Sequence, residues 1–321
     1  MIVGLATRIE KNWYGRALGN LWLLPLWFLF VLISALRRMK YRIFPAAPTG
    51  TPVLVVGNIA IGGTGKTPLI TLLADLAAKQ GIRVGVVSRG YGGRAEQYPL
   101  VVDTDTPVAQ SGDEPALLAG LGFPVVVDPQ RARAVKALKD KVDLILSDDG
   151  LQHYAMARDA EIVVSDATRG FGNGWQLPVG PLREPISRID TCDLHLVNGV
   201  DFTVQPTGYF VDSVELSPES LKGRRVHAVA GIGNPARFFT TLRQLGADVV
   251  EHAFSDHHAF VKEDLVFNDD LPVVMTEKDW VKCRSFDLPN AGFLRVSAAA
   301  TEAAEENISQ LLKRLGAIRH G

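Results

Sequence analysis

Cysteine is scarce in this chain of 321 residues: there are two, Cys192 and Cys283, far apart and in no CxxC pairing. That excludes a disulfide framework and a cysteine-built zinc site, and fits reduced thiols in a cytosolic setting. An excess of charge is lacking too, since 34 Lys and Arg stand against 35 Asp and Glu for a net charge of −1. A nucleic-acid binder presents a concentrated basic face, which this even spread does not supply, so no nucleic-acid partner is expected. Internal repeats and low-complexity tracts are absent, which excludes solenoids and long disordered arms. The length is ample for a core of its own in about two domains.

What the chain has in excess is confined to its start. The run "ALGNLWLLPLWFLFVLISAL", Ala17 to Leu36, is twenty residues without a charge, with Arg16 on one side and Arg37 and Arg38 on the other. Twenty helical residues rise roughly 30 Å, one hydrocarbon thickness. Trp13, Trp22 and Trp27 lie in or beside the run, where interfacial rings belong. Arg37, Arg38, Lys40 and Arg42 outweigh Arg8, Lys11 and Arg16, a bias that places everything after Arg37 on the cytoplasmic side. No A-x-A site follows the run, which argues against a cleaved signal peptide. The expectation is a membrane anchor over residues 1–43 with the bilayer as partner, either spanning or lying in the membrane plane with a bend at Pro25.

Beyond the linker "IFPAAPTGTP" the pattern changes to short apolar runs alternating with helical stretches. "PVLVVGN", "IRVGVVS", "FPVVVD" and "VDLILS" read as strands, and "KTPLITLLADLAAKQ" and "PQRARAVKALKD" as helices; "EIVVSD" and "DLHLVN" extend the same sheet. Continuously apolar strands between helices suit a mostly parallel sheet covered on both faces. A long glycine- and proline-rich stretch follows Asp166, and loops of that length inside a domain are usually functional. The rhythm restarts near Arg224, which predicts a P-loop core over residues 44–222 and a smaller α/β lobe over 223–321, closing with the helix "EAAEENISQLLKRLG".

"VVGNIAIGGTGKTP", Val55 to Pro68, has the strand–glycine turn–helix order of a phosphate cradle. Successive backbone N–H groups of such a loop converge on phosphate, the lysine reaches the terminal oxygens, and the hydroxyl residue holds Mg²⁺. The nucleotide-binding residues are therefore Ala60, Ile61, Gly62, Gly63, Thr64, Gly65, Lys66 and Thr67. Ala60 departs from the strict pattern, which has glycine there. Asp148 and Asp149 end the strand "VDLILSDD", where a P-loop protein places the acid beside its metal. The loop implies ATP or GTP but not the use made of it. A partition-type ATPase would carry a lysine where this chain has Ile61. A membrane-tethered NTPase switch and a kinase remain open on these residues alone.

Seven motifs occur in order behind the apolar run: the cradle itself, "SRGYGGR" (88–94), "SGDEPALLA" (111–119), "DDGLQH" (148–153), "LPVGPLREP" (177–185), "SDHHAF" (255–260) and "TEKDWVK" (276–282). Together they resemble the tetraacyldisaccharide 4′-kinase family over nearly the whole chain. The resemblance implies transfer of the ATP γ-phosphate to the 4′-hydroxyl of an acylated disaccharide 1-phosphate, with Mg²⁺, by a monomer at the cytoplasmic face of a Gram-negative inner membrane. It also implies the roles: Asp113 as catalytic aspartate with His257 as its partner, Lys66 on the phosphate, and Arg183 as a clamp on phosphate oxygens. Thr67, Asp149, Asp148 and Glu114 are then the candidates at the metal. Gln152 and His153 are expected at or just behind the metal, Arg89 as a second clamp of the Arg183 kind, His258 and Asp256 orienting the neighbouring backbone and ring, and Lys278 and Asp279 as structural or lobe-closing residues. From its local sequence alone, Asp113 reads as a helix N-cap followed by Glu114 and Pro115 in the first turn.

Overall fold

A computed structural model of the chain describes residues 2–15, 19–212 and 214–318. Ala17 and Leu18, which open the apolar run, and the flanking Arg16 lie outside the described residues. The N-terminal part is α1 (Ile2–Tyr14), a 3-10 turn (Leu21–Leu23) and α2 (Leu24–Ile43). An α/β unit follows: β1 (Val53–Gly57), α3 (Lys66–Lys79), β2 (Val84–Ser88), β3 (Leu100–Val102), α4 (Val108–Ser111), α5 (Asp113–Gly120) and β4 (Val125–Val127). It continues through α6 (Arg131–Leu138), β5 (Leu144–Asp148), β6 (Ala160–Asp166) and β7 (Leu194–Asn198). β8 (Phe202–Val211) and β9 (Val214–Leu216) lead to β10 (Arg225–Ala230), α7 (Pro235–Gln244) and β11 (Asp248–Ala253). The chain closes with β12 (Val273–Thr276), α8 (Glu277–Cys283), β13 (Ala291–Ala300) and α9 (Glu302–Ile318).

The described strands form one sheet in the order β11-β10-β12-β13-β8-β7-β6-β1-β5-β2-β4-β3, with β9 on β8. β1 lies parallel between β5 and β6, and every residue of "VLVVG" is buried, as a central strand covered on both faces requires. Leu69, Ile70, Leu73, Ala74, Leu76 and Ala77 give α3 one buried face; full burial of a leucine such as Leu73 stabilises by about 2 kcal/mol. The register sets Val56 beside Asp148, so the cradle after β1 and the acid at the end of β5 leave the sheet from the same edge.

β10, β11, β12 and β13 are mutually parallel in sheet order and join the first half through the antiparallel β13–β8 pair. Pro206 hides β8 from a pattern reading, since proline removes a ladder donor; the register shift opposite it, between Arg295 and Val296, accommodates the ring. α9 packs away from the core around β10, together with the end of β13, whose Ala298 and Ala300 lie against the same cluster as α9. The α9 stripe of Ala304, Ile308, Leu311, Leu312 and Leu315 enters the core built around α3.

The apolar run differs from a uniform helix bent at Pro25. α2 begins at Leu24 with Pro25 in its first turn, where the missing N–H has no partner to lose, so no bend arises there. The helix runs on through the basic cluster to Ile43. Leu21–Ile43 is long and apolar enough to cross a membrane. It nevertheless lies along the body: Trp27 meets Trp175 at 5.1 Å, Arg38 reaches Glu184 at 3.8 Å, and Tyr41 stacks on Tyr154 at 6.4 Å. The opposite face presents Leu26, Leu29, Ile33 and Leu36, each more than half exposed.

Candidate active site

The cradle is built by its neighbours as much as by its glycines. Gly65 caps α3 at φ +86°, and a Cβ there would come within 2.7 Å of Asn198 Nδ2. Asn198, at the end of β7, donates that same amide to the Thr64 carbonyl at 3.1 Å. The helix N-terminus behind Gly65 directs its free N–H groups and dipole at any anion in the loop. Ala60 is tolerated because its backbone is not left-handed. It forms a β-bridge with Leu182 instead, and the Ile61 N–H donates to the Pro181 carbonyl at 2.9 Å. The long glycine-proline loop thus buttresses the cradle. From the other side, the Tyr14 hydroxyl donates to the Ile61 carbonyl at 3.1 Å and Trp13 Nε1 to the Pro178 carbonyl at 3.0 Å.

Asp148 and Asp149 are adjacent yet electrostatically opposite. Burial works against the charge of Asp149, but Lys66 and Arg183 outweigh it and hold its carboxyl well below the usual range. Lys66 Nζ lies 3.6 Å from Asp149 Oδ1, and the Arg183 fork donates to both carboxylate oxygens at 2.9 Å. Asp148 is buried, and burial with the nearby Glu114 and Asp149 charges pushes its carboxyl up to about 7 against the pull of Lys66 and Arg131. Its Oδ1 has no hydrogen-bond partner among the described residues. Two neighbouring carboxyls driven apart in this way mark a site where their roles differ. Arg131 holds the turn from beneath, donating to the Asp149 and Asp148 carbonyls at 2.8 and 2.7 Å.

Across from the cradle, Asp113 Oδ2 lies 3.0 Å from His257 Nδ1. The N-cap expectation for Asp113 is corrected: Gly112, at φ +87°, occupies the cap, and Asp113 is the first helical residue with no capping bond. Only glycine fits at the cap, since a Cβ on Gly112 would fall 2.4 Å from the Tyr91 carbonyl. The carboxylate is therefore free to meet His257, whose own φ of +59° is uncommon for a non-glycine residue. Burial opposes the charge on Asp113, but the His257 hydrogen bond and the Lys282 and Lys278 ammonium groups prevail and lower its pKa. His257 Nε2 is 3.8 Å from Asp256 Oδ1, and Tyr91 packs at 4.8 Å from the imidazole.

A cavity of about 1230 Å³ joins these parts. Gly62 to Thr67, Asp148, Asp149, Glu114 and Arg183 line one side, and Asp256, His257 and Lys278 the other. Phe30, Ser34 and Arg37 of α2 form a third wall. Asp113 stands behind His257, largely buried. Arg89, Gln152 and His153 border the cavity as expected. Burial and the surrounding Arg131, Arg37, Arg158 and Arg89 push His153 down to about 4, so its ring is neutral at pH 7. Glu184 is buried and gathers Gln152, Tyr154 and Arg188. The Arg183 fork, expected on phosphate oxygens, engages Asp149 and Asn58. His258 turns to Asp264 at 2.9 Å. Lys278 bridges to Glu114 at 3.1 Å, while Asp279 is fully buried. Asn58, Arg131 and Asn198 also build the site, though no motif in the sequence singles them out. Asn198 carried a signal, being the last residue of an apolar parallel strand at the edge where ligands bind.

The donors suit Mg²⁺ in the manner of a nucleotide site. Among the described residues no group of three or more His, Cys, Asp or Glu side chains could hold a metal unaided. Magnesium at a nucleotide takes one or two carboxylates and fills its octahedron with phosphate oxygens and water. The unpartnered Asp148 Oδ1 and the Thr67 hydroxyl supply the hard oxygens such an ion requires.

Sheet, cradle and opposed Asp–His pair define the class: a P-loop enzyme equipped to move a phosphoryl group onto an acceptor that needs deprotonation. Within that class, residues 19–315 match the family described as Tetraacyldisaccharide-1-P 4'-kinase, LpxK, and the chain belongs to that family. The tetraacyldisaccharide 4'-kinase of Hahella chejuensis is 44% identical over 96% of this chain and 97% of its own length. That of Ruthia magnifica is 46% identical over 88% of this chain and 94% of its own length. The crystal structure of LpxK from Aquifex aeolicus in complex with ATP superposes with a TM-score of 0.78 at 27% identity, covering 92% of this chain and 99% of that one.

Proposed function

We infer that this chain transfers the γ-phosphate of ATP to the 4′-hydroxyl of a tetraacyldisaccharide 1-phosphate. The observation that carries the reading is one cavity walled by the Lys66 cradle, by His257 and by the apolar helix α2. The cradle's N–H groups and Lys66 bind the phosphates, with Asp149, itself held by the Arg183 fork, fixing the ammonium. The Asp113–His257 pair takes the hydroxyl proton as the 4′-oxygen bonds to phosphorus and the bond to the β-phosphate oxygen breaks, releasing ADP. Asp113 holds the Nδ1–H side of the imidazole, and His257 is the member that lines the cavity. Asp148, Thr67 and Glu114 would hold Mg²⁺, which supplies charge neutralisation on the phosphate oxygens when bound.

The acceptor's acyl chains explain the third wall. Trp27 to Tyr41 contacts the body over about 21 Å of helix, while Leu26, Leu29, Ile33 and Leu36 face outward. We therefore favour α2 lying at the cytoplasmic surface of the inner membrane, with its outer face in the acyl layer and its inner face on the cavity. A protein switch without an acceptor would leave the Asp113–His257 pair without a task.

Purified protein with ATP, Mg²⁺ and the disaccharide 1-phosphate in mixed micelles is expected to yield the 4′-phosphorylated product. Normal ATP binding with no product would reject the reading. Deleting residues 1–36 is expected to cut turnover of membrane-embedded acceptor more than ATP affinity. The nucleotide effect should stay near fivefold, about the worth of the lost Tyr14–Ile61 hydrogen bond. Equal losses would make the segment part of the nucleotide site.

A further inference from the structure

Behind the cavity, five contacts close into a ring. Lys282 Nζ lies 2.7 Å from Asp279 Oδ1. Asp279 Oδ2 accepts the Gly231 N–H at 2.9 Å. The Gly231 carbonyl accepts the His257 N–H at 3.1 Å. His257 Nδ1 meets Asp113 Oδ2 at 3.0 Å, and that oxygen lies 3.5 Å from Lys282 Nζ. The ring ties the start of α5 to the exit of β10 and to α8, and it holds His257 by both its backbone and its imidazole.

We propose that Lys282 is a positioning residue for phosphoryl transfer, its ammonium fixing the Asp113 carboxylate and, through it, the His257 ring. The proposal rests on the kinase reading above. Lys282, Asp113 and Asp279 have side chains no more than 9% exposed, and a buried ammonium persists only beside compensating carboxylates. Asp279 has little freedom, since Thr276 Oγ1 donates to it at 2.7 Å. The ammonium is therefore placed by Asp279 and the Phe260 ring, whose centroid lies 4.9 Å away, and Asp113 takes its direction from it. Lys278, one turn earlier on the same face of α8, pairs with Glu114. α8 thus offers two cations to the two consecutive acids that open α5. Asp113 opens α5 and His257 lies in the loop after β11, so without this latch their alignment would depend on one hydrogen bond.

Lys282→Met is expected to lower kcat about 10²-fold, the cost of a misplaced reacting group, with KM for ATP nearly unchanged. Lys282→Arg, which keeps a cation between the carboxylates, is expected to recover most of the rate. In an Asp113→Asn background, Lys282→Met should add nothing to the loss. Wild-type kcat in Lys282→Met would overturn the proposal while leaving the kinase reading intact; an unaffected Asp113→Asn would instead sink that reading. An additive loss in the double variant would show that Lys282 acts elsewhere. If Lys282→Met does not fold, Lys282→Gln, which removes the charge but keeps a polar side chain, carries the same test. Failure of both to fold would make the lysine purely structural and overturn the proposal.

Discussion

Asp113→Asn is expected to lower 4′-phosphorylation by about two to four decades, the usual worth of a positioned proton acceptor, with little change in ATP affinity. The expectation follows from where the side chain goes. An aspartate at a helix start ordinarily serves its own backbone, and its loss then costs about 1 kcal/mol of stability. Here Gly112 is the cap, and the carboxylate is directed to His257 instead. The two residues share one proton path, so His257→Ala should cost about as much, and the double variant little more than either. Calorimetry of ATP binding beside single-turnover transfer separates the possibilities. A stability loss with unchanged transfer would return Asp113 to a structural part and favour an acceptor-free switch.

The second large effect concerns Asp148 and pH. Its carboxyl sits at about 7, raised by burial and by neighbouring Glu114 and Asp149, yet only the ionised form can ligate Mg²⁺. Below that value protons compete with the ion, so the Mg²⁺ concentration for half-maximal rate should rise about tenfold per pH unit. Above it the requirement should level off. The sign for stability is opposite. A carboxyl raised in the fold contributes stability that is fully present below its unfolded pKa of about 4 and is lost as pH rises through about 7. Metal-free protein should therefore lose this contribution across that window, and Mg²⁺ with nucleotide should stabilise most at and above neutral pH. Asp148→Asn should raise the Mg²⁺ requirement strongly and flatten its pH dependence. A wild-type Mg²⁺ requirement independent of pH between 6 and 8 would contradict this assignment.

The sequence made the cradle legible because its chemistry is local: strand, glycine turn, lysine and helix follow one another within Val53–Lys79. The acids at 148 and 149 were legible for a similar reason, since a parallel strand delivers its last residue to the ligand edge. The Asp113–His257 contact joins residues 144 positions apart. Neither local pattern hints at it, and Asp113 alone looked like a cap; the family resemblance supplied the pairing. Arg183 was visible as a loop arginine, but its engagement with Asp149 depends on Asn58 and the fold of the glycine-proline loop. The docking of α9 on α3 was hidden because an apolar stripe states that a helix is buried, not against what. Whether Pro25 bends the apolar helix was open in the sequence, because its effect depends on where the helix starts.

The most direct test is a structure of the protein with a non-hydrolysable ATP analogue, Mg²⁺ and the acylated disaccharide 1-phosphate. The account predicts the 4′-oxygen within hydrogen-bond reach of the Asp113–His257 pair, about 3 Å, and in line with a γ-phosphate held by Lys66. A 4′-oxygen bound far from that pair, with another side chain poised to take its proton, would contradict it.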